Sequence, residues 1–272
     1  MDWLLTFPPY AIVFLFGSAI GSFLNVVIYR LPAGLSLLSP PSRCPHCLHR
    51  LKKHENVPVF GWLWLRGRCS HCGVKIAIRY PLVEAATGLL FLLIFWQFGL
   101  TWQTVGYWTL ASWLLALSFI DLDTFTLPNS MTQSGLVAGL AFQALWAFHR
   151  DFDLARLSSG LMGAIFAAVL GLWLFEIVTF LGSMVLGQTA MGGGDAKLAA
   201  LIGAWLGWKL LLLTGFLACA IGAFIGGGAI ALGLIGRRQP MPFGPFLALA
   251  AFISAIWGNT LISAYLQLFF PQ

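Results

Sequence analysis

The sequence predicts an all-α polytopic membrane protein with about eight transmembrane helices and a cytoplasmic zinc-binding loop domain. Three observations support this class. Of the 272 residues, 59% are hydrophobic and only 9% are charged, whereas a soluble domain is about 25% charged. Apolar runs long enough to cross a bilayer recur along the chain. Between the first two runs lies a polar segment, residues 29–81, with two pairs of cysteines. The composition excludes a soluble globular protein and a disordered one.

The spans are predicted from the apolar runs, because about 20 apolar residues cross the hydrocarbon core. They cover roughly residues 10–28, 82–98, 104–120, 131–148, 159–182, 196–207, 209–235 and 244–268. The sixth run is short and the seventh is long, so their boundary near Trp208 and Lys209 stays open. The alternative is one broken helix with a re-entrant part.

The placement of the basic residues predicts the orientation. Residues 29–81 hold nine of them, which places this loop in the cytoplasm by the positive-inside rule. The net charge of +6 therefore reports membrane orientation, and no nucleic-acid partner is expected. The predicted organisation is a first transmembrane helix (1–28), the cytoplasmic loop domain (29–81) and a transmembrane bundle (82–272).

The loop contains two CxxC pairs, Cys44 with Cys47 and Cys69 with Cys72. Each pair can place two sulfurs on one ion, and together they complete a tetrahedral zinc site. A cytoplasmic loop meets a reducing thiol pool, which favours metal binding over disulfides. The sequence therefore predicts a structural zinc site that folds a loop without a core of its own. A redox or catalytic role for these thiols is the less favoured alternative.

Two acids at the ends of predicted spans are candidates for catalysis, because carboxylates near lipid are costly. Asp121 ends the third span, and Asp195 opens the sixth after Gly192, Gly193 and Gly194. If they meet, one ionised and one protonated carboxyl could activate water for amide hydrolysis. The glycines would let an extended substrate approach closely. The alternative is that Asp195 is a helix N-cap and Asp121 a residue that reaches the interface.

The ordered motifs resemble the type IV prepilin peptidases, which are bifunctional leader peptidase/N-methyltransferases of bacterial inner membranes. The resemblance covers nearly the whole chain. Its motifs are Gly17-x-x-x-Gly21-Ser-Phe-Leu-Asn25, both CxxC pairs, Glu55-Asn-Val-Pro58, Arg79-Tyr-Pro-Leu-Val-Glu84, Asp121-x6-Pro128-Asn129, Gly192-Gly-Gly-Asp195-x-Lys197 and Pro242-Phe-Gly-Pro.

The resemblance implies an aspartic protease of the GxGD type with Asp121 and Asp195 as catalytic residues. Asp121 is preferred over Asp123 because the family's first aspartate precedes a proline by seven residues. The implied substrates are type IV prepilins or type II secretion pseudopilins, cut after a Gly on the cytoplasmic face of the inner membrane.

The resemblance also implies methylation of the new N-terminus with S-adenosylmethionine, a reaction with which the family associates the cysteine loop. Candidate contributors to the methyl-donor site are Glu55, Asn56, Pro58 and Glu84. Gly192, Gly193, Gly194 and Lys197 are candidates for substrate binding, although Lys197 could instead reach the membrane interface. The alternatives are an intramembrane protease without methyltransferase activity, or an ion or proton transporter.

Overall fold

Outside residues 31–78, the described part of the chain is mostly helical, as the apolar runs predict. The computed structural model describes residues 3–151, 154–187, 191–234, 236 and 241–270. Within them lie eight helices: α1 (Trp3–Arg30), α2 (Phe60–Trp64), α3 (Arg79–Phe98), α4 (Trp102–Thr124), α5 (Asn129–Asp151), α6 (Leu154–Leu186), α7 (Gly193–Ala231) and α8 (Gly244–Phe269). Two compact units, Met1–Ser112 and Trp113–Gln272, meet at a boundary inside α4.

The predicted number of eight spans is wrong. Over the described part of the chain, six helices are long and apolar enough to cross a membrane: α1 from Pro8, α3, α4, α6, α7 and α8. The predicted span 131–148 lies within α5, but Gln133, Ser134 and Gln143 interrupt its apolar run. α5 is therefore the least apolar of the long helices and is not among the six candidate membrane spans.

The predicted sixth and seventh spans form one broken helix, α7, which agrees with the first part of that alternative; the re-entrant part stays a prediction. α7 has 39 residues, so it would be about 58 Å long if straight, against about 30 Å of hydrocarbon. Gly207 interrupts it with φ 78° and ψ 170°, a conformation that glycine adopts without a steric penalty. The break lies just before Trp208, where the sequence left the boundary open; residue 235, the predicted end of the seventh span, is outside the described residues.

In the first unit, α1 packs against α3 through small residues. A Cβ added at Gly17 would lie 2.9 Å from the Cα of Gly88, and one added at Gly21 would lie 2.7 Å from the Cα of Glu84. These glycines, four residues apart, therefore allow the two backbones to meet, as the small-xxx-small pattern predicts. The polar segment that joins α1 to α3 holds the cysteines.

In the second unit, α7 is the central helix and packs against α5, α6 and α8. Its contact with α6 is a backbone contact: a Cβ at Gly171 would lie 2.7 Å from the carbonyl oxygen of Ala199, and one at Gly203 would collide with the carbonyl of Ala167. On the α5 side, the indole of Trp205 donates to the carbonyl of Gly135 at 2.8 Å. These contacts fix the first half of α7, which begins next to Asp195.

Candidate functional site

Asp121 lies in the last turn of α4 and is buried, with 5% of its surface exposed. The helix ends just beyond it because Phe125 adopts φ 53° and its N–H bonds back to the carbonyl of Asp121 at 2.9 Å. A left-handed residue of this kind is a common helix terminator. Pro128 follows and precedes α5. The local sequence thus places a carboxyl at the end of a helix while keeping it away from solvent.

Asp195 lies in the first turn of α7 and is also buried, with 7% exposed. Gly192 precedes the helix in an extended conformation, and its carbonyl accepts the Asp195 N–H at 3.1 Å. The carboxyls of Asp121 and Asp195 lie close enough for their charges to repel. Gly194, next to Asp195, packs against Leu127, six residues after Asp121, so two acids that are 74 positions apart in the sequence lie in neighbouring parts of the second unit. Asp123 is exposed, so burial agrees with the choice of Asp121.

The sequence analysis missed a third member of this site, Gly244. Its backbone N–H donates to Oδ2 of Asp121 at 3.0 Å from the first turn of α8. A Cβ at this position would lie 2.6 Å from the same oxygen, so the close approach requires a glycine. The signal was present in Pro242-Phe-Gly-Pro, where a glycine opens a helix and its N–H has no partner inside that helix.

Lys197 links the start of α7 to the start of α5. Its Nζ donates to Oδ1 of Asn129 at 2.6 Å, and both side chains are exposed. Of the predicted substrate-binding glycines, Gly194 packs against Leu127, because a Cβ there would lie 2.9 Å from the Cβ of Leu127. At Gly193 an added Cβ would meet nothing within 4 Å. Gly194 is therefore required for close packing against Leu127, whereas Gly193 borders open space.

The four loop cysteines, Cys44, Cys47, Cys69 and Cys72, meet in one cluster. Their sulfurs all lie within 4.8 Å of one another, so the cluster could hold a metal ion. The Sγ atoms of Cys44 and Cys72 are 3.9 Å apart, as are those of Cys47 and Cys69. Tetrahedral bonds of about 2.3 Å to one ion would place sulfurs about 3.8 Å apart. The donor set and its spacing therefore fit such an ion.

Each CxxC pair forms a short turn, and the two turns match. The N–H of Leu48 donates to the carbonyl of Cys44 at 3.0 Å, and that of Gly73 donates to Cys69 at 2.9 Å. Both donors are left-handed, with φ 58° at Leu48 and 70° at Gly73. Backbone N–H groups in the first turn point at sulfur, and that of Cys47 lowers the pKa of the Cys44 thiol to about 6. The first turn thus favours the thiolate of Cys44, the form that binds metals, whereas a backbone bond from His49 is outweighed at Cys47 by burial and the neighbouring thiols, which raise the pKa of Cys47 to about 12.

Three of the four predicted methyl-donor residues, Glu55, Glu84 and Pro58, make hydrogen bonds with residues of the loop. Glu55 is buried, and its carboxylate accepts from the backbone N–H of Lys52 at 2.8 Å. The carboxylate of Glu84 accepts from the N–H of Val59 at 2.7 Å, where Val59 has a φ of 62°. The carbonyl of Pro58 accepts the N–H of Phe60 at 2.7 Å. These residues shape the loop.

Asn56 differs from the other three because it lines a cavity of about 490 Å³. That cavity lies beside α1, within the first unit. Its described lining includes four basic side chains and no acid. Ser22, which also lines it, donates its hydroxyl to Glu84.

Chemically, the second unit holds a pair of buried carboxyls, one of which is oriented by a backbone N–H. Two carboxyls that share a site cannot both ionise easily, so the pair favours one ionised and one protonated member. Such a pair can remove a proton from water and donate one to a carbonyl oxygen. In the first unit, the cysteine cluster and the basic cavity are separate features of the loop.

Comparison with known proteins identifies two family models in the chain. The Bacterial Peptidase A24 N-terminal domain matches residues 15–98, and the Type IV leader peptidase family matches residues 108–227. No solved structure matches the chain.

Curated relatives named "Prepilin leader peptidase/N-methyltransferase" are similar over most of the chain. The one from Stutzerimonas stutzeri is 40% identical over 92% of this chain and 91% of its own length. The one from Aeromonas hydrophila is 39% identical over 96% and 94%. The one from Myxococcus xanthus is 44% identical over 86% of this chain and 67% of its own length.

Proposed function

Because the chain belongs to the type IV leader peptidase family, we propose that it cleaves leader peptides from type IV prepilins or type II secretion pseudopilins after a Gly and then N-methylates the new N-terminal residue. The observation that carries the peptidase half is the burial of the Asp121 and Asp195 carboxyls at two helix ends whose adjoining residues, Leu127 and Gly194, are in contact. The relatives are named leader peptidases, which supports this function over the transporter alternative. Their names also include N-methyltransferase, which supports the second activity.

Cleavage follows from the dyad by acid–base chemistry. The ionised carboxyl takes a proton from water as the water oxygen bonds to the scissile carbonyl carbon, while the protonated carboxyl gives its proton to the carbonyl oxygen. The tetrahedral intermediate then collapses. Its C–N bond breaks, the amine leaves with the proton that had been taken from water, and a hydroxyl proton returns to the other carboxyl. Gly244 keeps Asp121 in place during these transfers.

The predicted topology supports cleavage at the inner leaflet. The nine basic residues of segment 29–81 favour the cytoplasm. The chain crosses the membrane twice after that loop, through α3 and α4, so Asp121 at the end of α4 lies on the same side as the loop. A leader with a basic start would reach the dyad from the cytoplasm. We therefore place the enzyme in the bacterial inner membrane with its acids near the cytoplasmic surface.

For the cysteine cluster we propose a structural zinc ion held by Cys44, Cys47, Cys69 and Cys72, since four thiolates in tetrahedral reach suit zinc. The ion would close two matched turns in a loop that has little apolar core.

S-adenosylmethionine would supply the methyl group. Glu55 and Glu84 support methylation by shaping the loop through their bonds to Lys52 and Val59. The cavity beside Asn56 suits this donor poorly, because its described lining has no acid while the donor's sulfonium and ammonium outnumber its carboxylate. We assign no methyl-donor site to it.

The peptidase proposal is tested with purified full-length protein and a synthetic prepilin peptide. Asp121→Asn and Asp195→Asn are each expected to abolish leader removal, measured by mass spectrometry, because neither half of the dyad acts alone. Asp123→Asn, which removes a charge two residues away, is the matched control and should cleave. Leader removal that survives both dyad substitutions contradicts the assignment.

The second activity is tested on a peptide whose leader is already absent. Both dyad variants should still add a methyl group to it, because methylation does not use these carboxyls. If the unaltered protein cleaves but never methylates, the alternative of a protease without methyltransferase activity replaces our proposal.

The zinc proposal is tested by elemental analysis of protein purified under reducing conditions. One zinc ion per chain is expected, and Cys47→Ser with Cys72→Ser should remove it. Cys219→Ser, which changes a cysteine far along the chain in α7, is the control and should keep the ion. A fresh, reduced sample without metal contradicts this assignment.

A further inference from the structure

The 490 Å³ cavity lies at the polar end of a membrane span. One wall is a single face of α1, formed by Ala19, Ser22, Phe23, Val26 and Arg30, whose spacing of three and four residues aligns them on the helix. Arg30 is the last residue of this span. The cavity therefore begins beside apolar side chains within the span and ends beside charged ones at its border.

The opposite wall comes from the loop that follows α1, residues 37–56. Four basic side chains are among the described residues that line the cavity: Arg30, Arg50, Lys52 and Lys53. The guanidinium of Arg30 donates to the carbonyls of Ser36 and Pro40 at 3.0 and 2.7 Å. These bonds orient it but do not neutralise its charge. Glu55 attracts Lys52, but the described lining itself holds four basic side chains and no acid, so the cavity is positively charged.

An apolar wall next to a basic one suits an amphiphile with a negative head group. Anionic phospholipids are present at the membrane surface, and basic pockets at the ends of transmembrane helices bind their head groups. A phosphodiester would lie against the loop, and the first chain carbons would follow Phe23 and Val26 into the bilayer. We propose that this cavity binds the phosphodiester head group of an anionic phospholipid and thereby fixes the cysteine loop to the membrane.

The test is a titration of full-length protein, in zwitterionic detergent, with short-chain phosphatidylglycerol, followed by native mass spectrometry. One lipid should bind saturably, and phosphatidylcholine should not replace it. Arg50→Gln with Lys53→Gln should weaken binding about 25-fold, from roughly fivefold for each basic side chain removed. Arg50→Lys with Lys53→Arg keeps both charges and should retain binding.

The matched control is Arg68→Gln with Lys75→Gln. These residues are bridged in the second cysteine turn as Arg43 and Arg50 are in the first, and their loss changes the net charge equally. An equal loss of binding in this control overturns the proposal, because the attraction would then be diffuse.

Two other ligands are tested as competitors. Inorganic phosphate shows whether a free anion is enough, and S-adenosylmethionine shows whether the cavity binds the methyl donor instead. Inorganic phosphate that binds as tightly as the lipid overturns the proposal, and so does S-adenosylmethionine that displaces the lipid. Unfolding midpoints check that the variants fold. If the double Gln variant does not fold, Asn56→Asp adds one negative charge to the same wall and should weaken lipid binding about fivefold. Unchanged binding in that variant overturns the proposal.

Discussion

The contact between Gly244 and Asp121 gives the sharpest test of the dyad. In Gly244→Ala the new Cβ would lie 2.6 Å from Oδ2 and 3.2 Å from Cγ of Asp121, whereas ordinary contacts begin at 3.4 Å. Either the carboxyl or the start of α8 must therefore move by about 0.8 Å. The hydrogen bond from the Gly244 N–H, now 3.0 Å long, would be stretched or lost. Both effects act on a group that must be placed accurately to react.

The expected result is a loss of about 100-fold in the rate of leader removal, because a misplacement near 1 Å can cost that much. Overpacking should also lower the free energy of unfolding by about 1–3 kcal/mol. The assay is the initial rate of cleavage of a prepilin peptide at saturating substrate, read by mass spectrometry. The unfolding midpoint of the same sample is measured alongside to separate activity from folding.

Gly228→Ala is the matched control, since a Cβ at Gly228 in α7 would meet nothing within 4 Å. Its cleavage rate should stay within about twofold of the unaltered protein. If Gly244→Ala remains folded and cleaves within threefold of the unaltered rate, Asp121 does not depend on this backbone donor. The proposed placement of the dyad would then be wrong.

Three further predictions concern folding. Leu48→Gly should raise loop stability by about 0.5–1 kcal/mol in denaturant titrations, because the left-handed backbone costs leucine about 1–2 kcal/mol and glycine loses about 0.5–1 kcal/mol more chain entropy on folding. Gly73→Leu, at the matching left-handed position, should do the reverse. Gln143→Leu should cost about 1 kcal/mol in thermal unfolding, because the Gln143 amide bonds to the carbonyl of Trp205 at 2.7 Å. A hydrogen bond from Ser70 and one from Lys52 lower the pKa of Glu55 below its usual 4.5. Its stabilisation is therefore present above that pH and lost as the pH falls below it, so Glu55→Gln should destabilise the protein at pH 7 and matter little in acid.

The main elements could be predicted from the sequence because a bilayer imposes strong rules on length and polarity. The predicted span 82–98 lies within α3 (Arg79–Phe98), and 244–268 matches α8 (Gly244–Phe269). The cysteine cluster followed from spacing, because few arrangements can use four thiols in one loop. That Asp121 and Asp195 lie at helix ends could be read from the apolar runs, whereas whether the two carboxyls meet could not.

The remaining features depend on backbone geometry that residue types do not reveal. Gly207 is one glycine among 30 in the chain, and nothing in its immediate sequence separates a helix break from a packing contact. The bond between Glu84 and Val59 is likewise a long-range one, made across a loop of irregular structure. The error in the number of spans has two sources: the apolar run of α7 continues through the break at Gly207, and α5 is a helix too polar to be among the six.

The glycine contacts between α6 and α7 have a consequence for how a substrate enters. Because Gly171 and Gly203 allow these two backbones to touch, separating the helices would break a long continuous seam. We expect this seam to hold α6 and the first half of α7 together as a single body. A substrate helix must then reach Asp195 by a route that leaves this body intact. Opening is easier at a joint such as Gly207, where α7 is already unwound.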